Sequence, residues 1–300
     1  MHFRVRKLGL SLVQVFFSKA CCSRRGKRGL PQKETPQDEA VTAPALPSKK
    51  GIGTWYAPSV QGVIQSLDVS WYYVWGISPA DQSIMPFPDR LFTPQFYDGK
   101  AVTDLNLDKA KIEANDTAVL AFNEPDRPDQ GLTSVEEAIA VWPKLETLNM
   151  RLGAPAMATS AATHIVDWFD KFMCMAKQRR FKIDFIPIHW YNDDENRWDG
   201  EIAVMDLKAT LETVYKTYKK PIWVTEFGLA KWFGPKEAIY PSAEVQAAFV
   251  TKACEMMDGL DYVERYAYFP VFPYTDNSSS HLYETDGRIT VVGEAYKNVR

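Results

Sequence analysis

Two glutamates of this chain stand at positions where side chains often do chemistry. Glu124 lies in Asn-Glu-Pro after the apolar run 118–122, and Glu226 ends the apolar run that starts at Pro221. Both are therefore expected at the carboxyl ends of strands. Two carboxyl groups on one rim of a parallel barrel are what glycoside hydrolysis requires, because one donates a proton to the leaving oxygen while the other attacks or activates water.

Each glutamate has a proposed role and an ordinary alternative. Glu124 is the predicted general acid and later general base, a role that needs its pKa raised by an apolar pocket or by the second carboxylate. The alternative is a glutamate at a helix start, stabilised by the helix dipole. Glu226 is the predicted nucleophile and has to be ionised. The alternative is a strand-end carboxylate paired with a basic residue such as Arg265.

Polar and aromatic residues near the glutamates complete the predicted site. Asn123 is expected to donate to a sugar hydroxyl beside the reacting carbon. His189 and Tyr191 are separated by one residue and share a strand face, and the Tyr191 hydroxyl is positioned to hold Glu226. Trp190 points the other way unless the strand has already ended, in which case it too is a substrate-binding candidate.

Aromatic residues are dense in three other places. In the run 68–75, alternation puts Trp71, Tyr73 and Trp75 on one face. Core packing is the ordinary explanation, but barrel cores prefer branched aliphatic residues, so a sugar-binding surface is favoured. Tyr268, near the end of the last predicted strand, and Trp232, shortly after Glu226, are further candidates for stacking on sugar rings.

Composition excludes several other classes of protein. The net charge of −3 over 300 residues argues against a nucleic-acid partner. The four cysteines contain no Cys-x-x-Cys, and the four histidines have no ligand spacing, so neither a metal site nor a disulfide framework is expected. No organic cofactor is expected either, because hydrolysis by two carboxyl groups needs none.

The first fifty residues differ from the rest of the chain. Residues 1–30 form a basic tail without acidic side chains, and 31–50 form a proline-rich linker with too little apolar surface to fold. A short apolar run followed by small residues up to Ala20 resembles a secretion signal, so we expect a secreted or wall-associated protein. An organellar presequence or an unstructured cytoplasmic tail are the alternatives. The apolar run is too short to span a bilayer.

Residues 51–300 alternate strand-like and helix-like segments. Eight strands are predicted, at 51–55, 68–75, 83–87, 118–123, 151–154, 183–189, 221–226 and 264–269. Helices are predicted at 107–114, 134–150, 165–180, 202–218 and 242–258, the second opened by a Ser134/Glu137 capping box. Eight apolar strands separated by helices predict an α/β fold, a single (β/α)8 TIM barrel. An open doubly wound sheet is the alternative.

With these residues in place, the domain resembles the Asl1-like glycoside hydrolases, glycoside hydrolase family 128. The resemblance is carried by motifs in the same order and spacing throughout: 70–73 (SWYY), 120–126 (LAFNEPD) with Gln130, 138–143 (AIAVWP), 151–155 (RLGAP), 184–191, 221–227 (PIWVTEF), 263–269 and 286–296. It implies an endo-β-1,3-glucanase on a (β/α)8 barrel of the large retaining clan, with Glu124 as acid/base and Glu226 as nucleophile. Two departures from the family pattern, at Val74 and at 84–86, are expected in the substrate cleft.

The expected partner is therefore a β-1,3-glucan polysaccharide or oligosaccharide, bound by a monomer without nucleic acid or stable membrane insertion. Two other functions stay open at this point. A glucan-binding protein without turnover would keep the aromatic residues, although both glutamates are present here. A glycosidase of the same clan acting on another β-linked glycan would keep the chemistry and change the substrate.

Overall fold

The computed structural model describes residues 48–158, 167–234, 236–275 and 278–299. The predicted tail and almost all of the predicted linker lie outside these ranges. Lys49 and Lys50 are already part of the folded domain: Lys50 begins the first strand, and Lys49 donates to the carbonyls of Met257, Asp258 and Leu260. The domain boundary is thus slightly earlier than predicted. Within the described residues, no helix combines the length and apolar character needed to cross a bilayer.

Ten strands are present in the described residues: β1 (Lys50–Gly53), β2 (Trp71–Tyr73), β3 (Leu91–Phe92), β4 (Ala118–Val119), β5 (Arg151–Leu152), β6 (Ile186–Asn192), β7 (Ile222–Leu229), β8 (Lys231–Gly234), β9 (Glu237–Ile239) and β10 (Val263–Tyr268). Six of them form one parallel sheet in the order β3-β2-β1-β10-β7-β6, and β4 pairs in parallel with β5. The two remaining strands, β8 and β9, form an antiparallel hairpin directly after β7.

Single parallel bridges connect the strand pair to both ends of the six-stranded sheet. Gln95 bridges to Leu120 beyond β3, and Gly153 bridges to Phe185 before β6. Backbone hydrogen bonds of 3.0 Å from Phe96 to Leu120 and of 2.9 Å from Ala154 to Phe185 support these contacts. Eight parallel strands therefore follow one another in the order of a (β/α)8 barrel. Between β3 and β4, and between β5 and β6, the pairing consists of a single bridge. The predicted fold class is confirmed, although regular pairing does not run unbroken around the ring.

The third predicted strand was placed wrongly. Residues 83–87 are not extended; the strand is β3, several residues later. Ser78 caps a 3-10 turn at Pro79–Gln82, and Ser83 then adopts the left-handed conformation with φ 54°. The chain leaves the 3-10 turn through Ser83 and joins the sheet only at Leu91.

Seven helices lie in the described residues: α1 (Val60–Ser66), α2 (Asp104–Glu113), α3 (Val135–Glu146), α4 (Trp168–Arg179), α5 (Gly200–Tyr218), α6 (Ala243–Asp258) and α7 (Val291–Asn298). Five match predicted helices, and the Ser134/Glu137 capping box is present with both of its hydrogen bonds. The start of the helix predicted from 165 lies partly outside the described residues. Neither α1 nor α7 was predicted, because both are too short to show a clear helical period.

The inside of the ring is filled by large aromatic side chains opposite glycines. Trp71 and Tyr73 point inward from β2, and they face Gly51 and Gly53 of β1 in register. A Cβ at Gly51 would lie 2.2 Å from the Trp71 ring, and one at Gly53 would lie 2.7 Å from the Tyr73 ring. Glycine is therefore required at both positions by close approach and not by backbone conformation.

The floor of the ring contains a buried ion pair. Arg265 of β10 donates from Nη2 to Asp116 Oδ1 at 3.1 Å, and both side chains are almost completely buried. The guanidinium also lies over the rings of Trp71 and Trp223, at 5.3 and 4.0 Å from their centroids. Arg265 is consequently occupied at the end of the barrel opposite the glutamates, and the alternative in which it pairs with Glu226 is wrong.

Candidate active site

Glu226 and Glu124 come together near the carboxyl ends of the strands, although β7 continues past Glu226 to Leu229, beyond its predicted end. Glu226 lies in β7, in register with His189 of β6. Glu124 follows β4, and its backbone N–H donates to the Ala156 carbonyl at 2.7 Å. Its φ is +46°, a left-handed conformation that is uncommon for residues other than glycine and is often found at functional sites. This backbone conformation, followed by Pro125, turns the chain out of the barrel directly beside Glu226.

His189 lies between the two carboxylates. Its Nδ1 is 2.8 Å from Glu124 Oε1, and its Nε2 is 3.5 Å from Glu226 Oε1. The imidazole is buried, with 1% of its side chain exposed. Burial alone would lower the pKa of His189, but the facing carboxylates of Glu226 and Glu124 outweigh it and raise the pKa above its ordinary value. The two carboxylates therefore favour the protonated form of the ring.

Two donors hold Glu226 from different sides. The Tyr191 hydroxyl donates to Oε2 at 2.6 Å, and the Trp75 indole N–H donates to Oε1 at 3.2 Å. Burial raises the pKa of Glu226 above its ordinary value, and the Glu124 charge adds to this, whereas His189 and the two donors act in the opposite direction. Burial next to Glu226 also keeps the pKa of Tyr191 well above its ordinary value, so this hydroxyl is a constant donor.

Tyr73 forms a hydrogen bond with the backbone next to Glu226, the nucleophile candidate. Its hydroxyl donates at 3.0 Å to the carbonyl of Thr225, the residue directly before Glu226. Burial, with the charges of Glu226 and Glu124 above it, raises the pKa of Tyr73 well above its ordinary value. The predicted role of Tyr73 as a sugar-contacting residue is wrong, because the side chain is buried inside the ring. It fixes the backbone of β7 instead.

Both glutamates open into a cleft of about 300 Å³. The cleft is lined by aromatic, charged and polar side chains: Trp55, Trp75, Tyr97, Asn123, Glu124, Arg127, Asp129, Gln130, Ala158, Tyr191, Glu226, Trp232, Gly234, Lys236, Phe269 and Tyr274. Aromatic rings and hydrogen-bonding groups both line the cleft. A cleft with both kinds of side chain suits a sugar, which has apolar CH faces and polar edges.

The structure brings four of the predicted substrate-binding residues to the cleft: Asn123, Trp75, Tyr191 and Trp232. Asn123 is buried, and among the described residues its Oδ1 has no hydrogen-bond partner. A buried acceptor of this kind is costly unless a ligand satisfies it. His189, a fifth predicted residue, does not line the cleft itself but connects the two carboxylates beneath it.

Three further predicted residues do not reach the cleft. Trp71 shares the inward face of β2 with Tyr73 and Trp75, as alternation predicted, but it lies at the floor of the ring stacked on Tyr73. Trp190 points outward and stacks on Phe249 of α6, because β6 continues through Asn192. Tyr268 is fully buried against Tyr296 of α7. Face alternation was correct, whereas depth along the barrel axis was not readable from the sequence.

The departures from the family pattern also lie elsewhere than expected. Val74 is fully buried in the core outside the ring. Met85 is exposed, and neither Ile84 nor Met85 lines the cleft. These substitutions therefore do not alter the substrate cleft directly.

Several cleft residues were missed by the sequence analysis. Trp55 continues the inward alternation of Gly51 and Gly53, and its ring lies within 6.3 Å of those of Trp75, Phe269, Phe272 and Tyr274. That alternation was a usable signal for Trp55. No local pattern identified Tyr97 or Tyr274, which lie in loops after the strands and reach the cleft only through tertiary contacts.

The arrangement suits acid–base and nucleophilic chemistry by a pair of carboxyl groups. Glu124, His189 and Glu226 each contribute one ligand-type atom, all within 4.8 Å of one another. The same three atoms could also hold a metal ion in principle. However, both imidazole nitrogens face carboxylates on different sides of the ring, and Tyr191 and Trp75 already donate to Glu226.

The parallel barrel and its paired glutamates define a glycoside hydrolase. The sequence model described as the glycosyl hydrolase catalytic core matches residues 52–296. The chain belongs to this family and, within it, is an Asl1-like member of glycoside hydrolase family 128.

Three known proteins are similar to this chain. A crystal structure of a family 128 subgroup I endo-β-1,3-glucanase from Amycolatopsis mediterranei with laminaripentaose is 36% identical, with a TM-score of 0.76 over 84% of this chain and 100% of the other. A subgroup II endo-β-1,3-glucanase from Sorangium cellulosum is 22% identical over 84% of this chain and 98% of the other, with a TM-score of 0.67, and shares the fold. Alkali-sensitive linkage protein 1 of Schizosaccharomyces pombe is 27% identical over 76% of this chain, which spans only 40% of that relative's length.

Proposed function

We propose that this protein is a retaining endo-β-1,3-glucanase that hydrolyses β-1,3-glucan by double displacement. The observation that carries the mechanism is the pair Glu124 and Glu226, joined by His189 with carboxylate oxygens within 4.8 Å at the base of an aromatic cleft. Support for the substrate comes from the A. mediterranei relative, which is described as an endo-β-1,3-glucanase and was crystallised with laminaripentaose.

In the first step, Glu226 attacks the anomeric carbon and Glu124 gives its proton to the departing glucosyl oxygen. The new C–O bond to Glu226 forms as the glycosidic bond breaks, which leaves a covalent glycosyl-enzyme. The donors Tyr191 and Trp75 fix both oxygens of Glu226 and therefore orient the attacking carboxylate. The buried Oδ1 of Asn123 is available to accept a hydrogen bond from a sugar hydroxyl.

In the second step, Glu124 removes a proton from water, the water oxygen bonds to the anomeric carbon, and the ester bond to Glu226 breaks. Two inversions give net retention. Glu124 is well placed for this double duty, because its side chain is 14% exposed and reaches the cleft, while Glu226 is more enclosed at 8%. The more solvent-accessible carboxyl group is the one that must meet both leaving group and water.

The test is reducing-end release from a linear β-1,3-glucan by the native chain, Glu226→Gln and Glu124→Gln. Both variants should lose activity by on the order of 10³-fold or more, whereas Glu212→Gln, on the exposed face of α5, serves as the matched control. Azide separates the two roles. It should rescue Glu124→Gln with formation of a β-glycosyl azide, and Glu226→Gln with an α-glycosyl azide.

Three outcomes would contradict parts of this proposal. Initial release of the α-anomer would show inversion. Cleavage of another β-linked glycan in preference to β-1,3-glucan would indicate a glycosidase of the same clan with a different substrate. Binding of the glucan without release of reducing ends would identify a non-catalytic glucan-binding protein.

A further inference from the structure

The cleft residues that follow Glu124 in the chain are charged and polar, whereas the cleft residues that donate to Glu226, Trp75 and Tyr191, are aromatic. Arg127, Asp129 and Gln130 all line the cleft. All three belong to the turn that leaves Glu124 towards α3. Because they follow the proposed acid directly, their distance from the reacting bond is set by a few backbone residues.

This turn is fixed to the backbone of the catalytic residues. The Arg127 N–H donates to the Glu124 carbonyl at 3.0 Å, and the Gly131 N–H donates to the Asn123 carbonyl at 2.9 Å. A Cβ at Gly131 would lie 2.3 Å from that same carbonyl oxygen, so the turn packs tightly against it. The Tyr97 hydroxyl donates to Gln130 Oε1 at 2.8 Å and holds the amide in place. The polar side chains are therefore presented from a rigid support.

Arg127 and Asp129 form a side-on ion pair at the cleft surface. Arg127 Nε is 3.2 Å from Asp129 Oδ1, and Nη2 is 3.4 Å from Oδ2. The two side chains are 44% and 26% exposed. Exposed ion pairs contribute at most about 1 kcal/mol to stability. The pair therefore adds little to the stability of the fold. A guanidinium beside a carboxylate offers adjacent donors and acceptors, the complement of neighbouring sugar hydroxyls.

Building on the proposed function, we propose that Arg127 and Asp129 bind the glucosyl unit on the leaving-group side of the scissile bond. The direction follows from the chemistry: the general acid has to stand beside the departing oxygen, so the departing sugar lies on the Glu124 side of the cleft. The aromatic side chains beside Glu226, Trp75 and Tyr191, then lie nearer the sugars that become attached to the enzyme. The pair acts by positioning the leaving sugar so that its oxygen meets the Glu124 proton.

The experiment compares two substrates that differ only beyond the scissile bond. Laminaripentaose places glucosyl units on the leaving side, whereas 4-nitrophenyl β-laminaribioside places only an aryl group there. For Arg127→Met and Asp129→Asn, kcat/KM should fall about tenfold more on the pentaose than on the aryl glycoside, as expected for loss of a charge-assisted hydrogen bond. The double variant should lose little more than either single one, because the pair acts as a unit.

Arg288→Met and Asp286→Asn are the matched controls. These two residues are also separated by one position in the sequence. Their side chains form an ion pair at 2.8 Å, and neither lines the cleft. Their variants should leave the ratio of the two kcat/KM values unchanged. An equal loss on both substrates for the Arg127 and Asp129 variants would overturn the inference and indicate a general effect on the site. If the native chain cleaves neither substrate, the proposed function has failed, and this inference fails with it.

Discussion

The Tyr191 hydroxyl lies 2.6 Å from Oε2 of Glu226 and donates to it from within the same buried pocket. The two residues come from neighbouring strands, β6 and β7, whose register places them on one side of the barrel rim. A donor at this distance stabilises the ionised carboxylate. Burial disfavours the ionised form, so the pKa of Glu226 depends on how many hydrogen-bond donors the carboxylate retains.

Tyr191→Phe should therefore move the acid limb of the pH profile. Burial already holds the Glu226 pKa above its ordinary value, and removing a donor to the ionised form raises it further. Because the nucleophile has to be ionised, kcat/KM should begin to fall at a higher pH in the variant than in the native enzyme. The measurement is kcat/KM against pH. Tyr215→Phe, remote from the cleft and stacked on Tyr262, is the control; a limb that does not move would contradict the assignment of Glu226.

Trp75→Phe probes the donor on the other oxygen of Glu226 while leaving an aromatic ring in the cleft. Loss of the indole N–H should shift the acid limb in the same direction, and the shift should be smaller because this bond is longer, at 3.2 Å against 2.6 Å. The same pH series measures it. Trp168→Phe, whose indole donates to the Thr133 carbonyl away from the cleft, is the control. A shift towards lower pH would be inconsistent with the hydrogen bond.

Gly51→Ala should destabilise the barrel by about 1–3 kcal/mol, since the added methyl group overpacks a filled interior. The methyl would lie 2.2 Å from the Trp71 ring, which has no free space to move into. Gly62→Ala in α1 is a matched control: nothing lies within 4 Å of its Cβ, and helix propensity favours alanine by roughly 0.5–1 kcal/mol. Urea unfolding of both variants compares them, and equal stabilities would show that the interior tolerates the methyl.

Asp116→Ala should cost about 3–5 kcal/mol, because it leaves the buried Arg265 charge without its partner. Replacing both residues by apolar side chains, as in Asp116→Leu with Arg265→Met, should recover much of that loss. The exposed pair formed by Lys144 and Asp104 is the control, and Asp104→Ala should change stability by less than about 1 kcal/mol. Chemical denaturation measures all variants. A double variant no more stable than Asp116→Ala would argue against an uncompensated charge as the cause.

Lys50→Met should destabilise the domain by about 1–3 kcal/mol, through loss of donors to buried carbonyls. Lys50 Nζ donates to the carbonyls of Tyr296, Lys297 and Val299 at the end of α7 and thus connects the first strand to the last helix. Lys297→Met, at an exposed position of the same helix, is the control. Thermal unfolding separates the two, and an unchanged melting temperature for Lys50→Met would show that water replaces the lysine.

Much of the fold and the grouping of the two glutamates followed from the sequence by itself. The apolar runs before Glu124 and Glu226 predicted two parallel strands, and a barrel brings the residues near the carboxyl ends of such strands to one rim, although β7 continues past Glu226 to Leu229. Alternation correctly grouped Trp71, Tyr73 and Trp75, and the spacing of His189 and Tyr191 placed them beside the glutamates. These features depend on periods of two along a strand, which the sequence displays directly.

Only the tertiary structure decided how far along the barrel axis each inward side chain lies and which strand residues pair around the ring. Trp71, Tyr73 and Trp75 share a face, yet one lies at the floor of the ring, one supports Thr225 and one lines the cleft, because successive inward positions occupy successive layers of the barrel. The sequence carries no local signal for which layer meets solvent. Likewise, Arg265 could have paired with either end of the barrel; its pairing with Asp116 depends on the register of strands distant in sequence, and that register is set by packing of the whole ring.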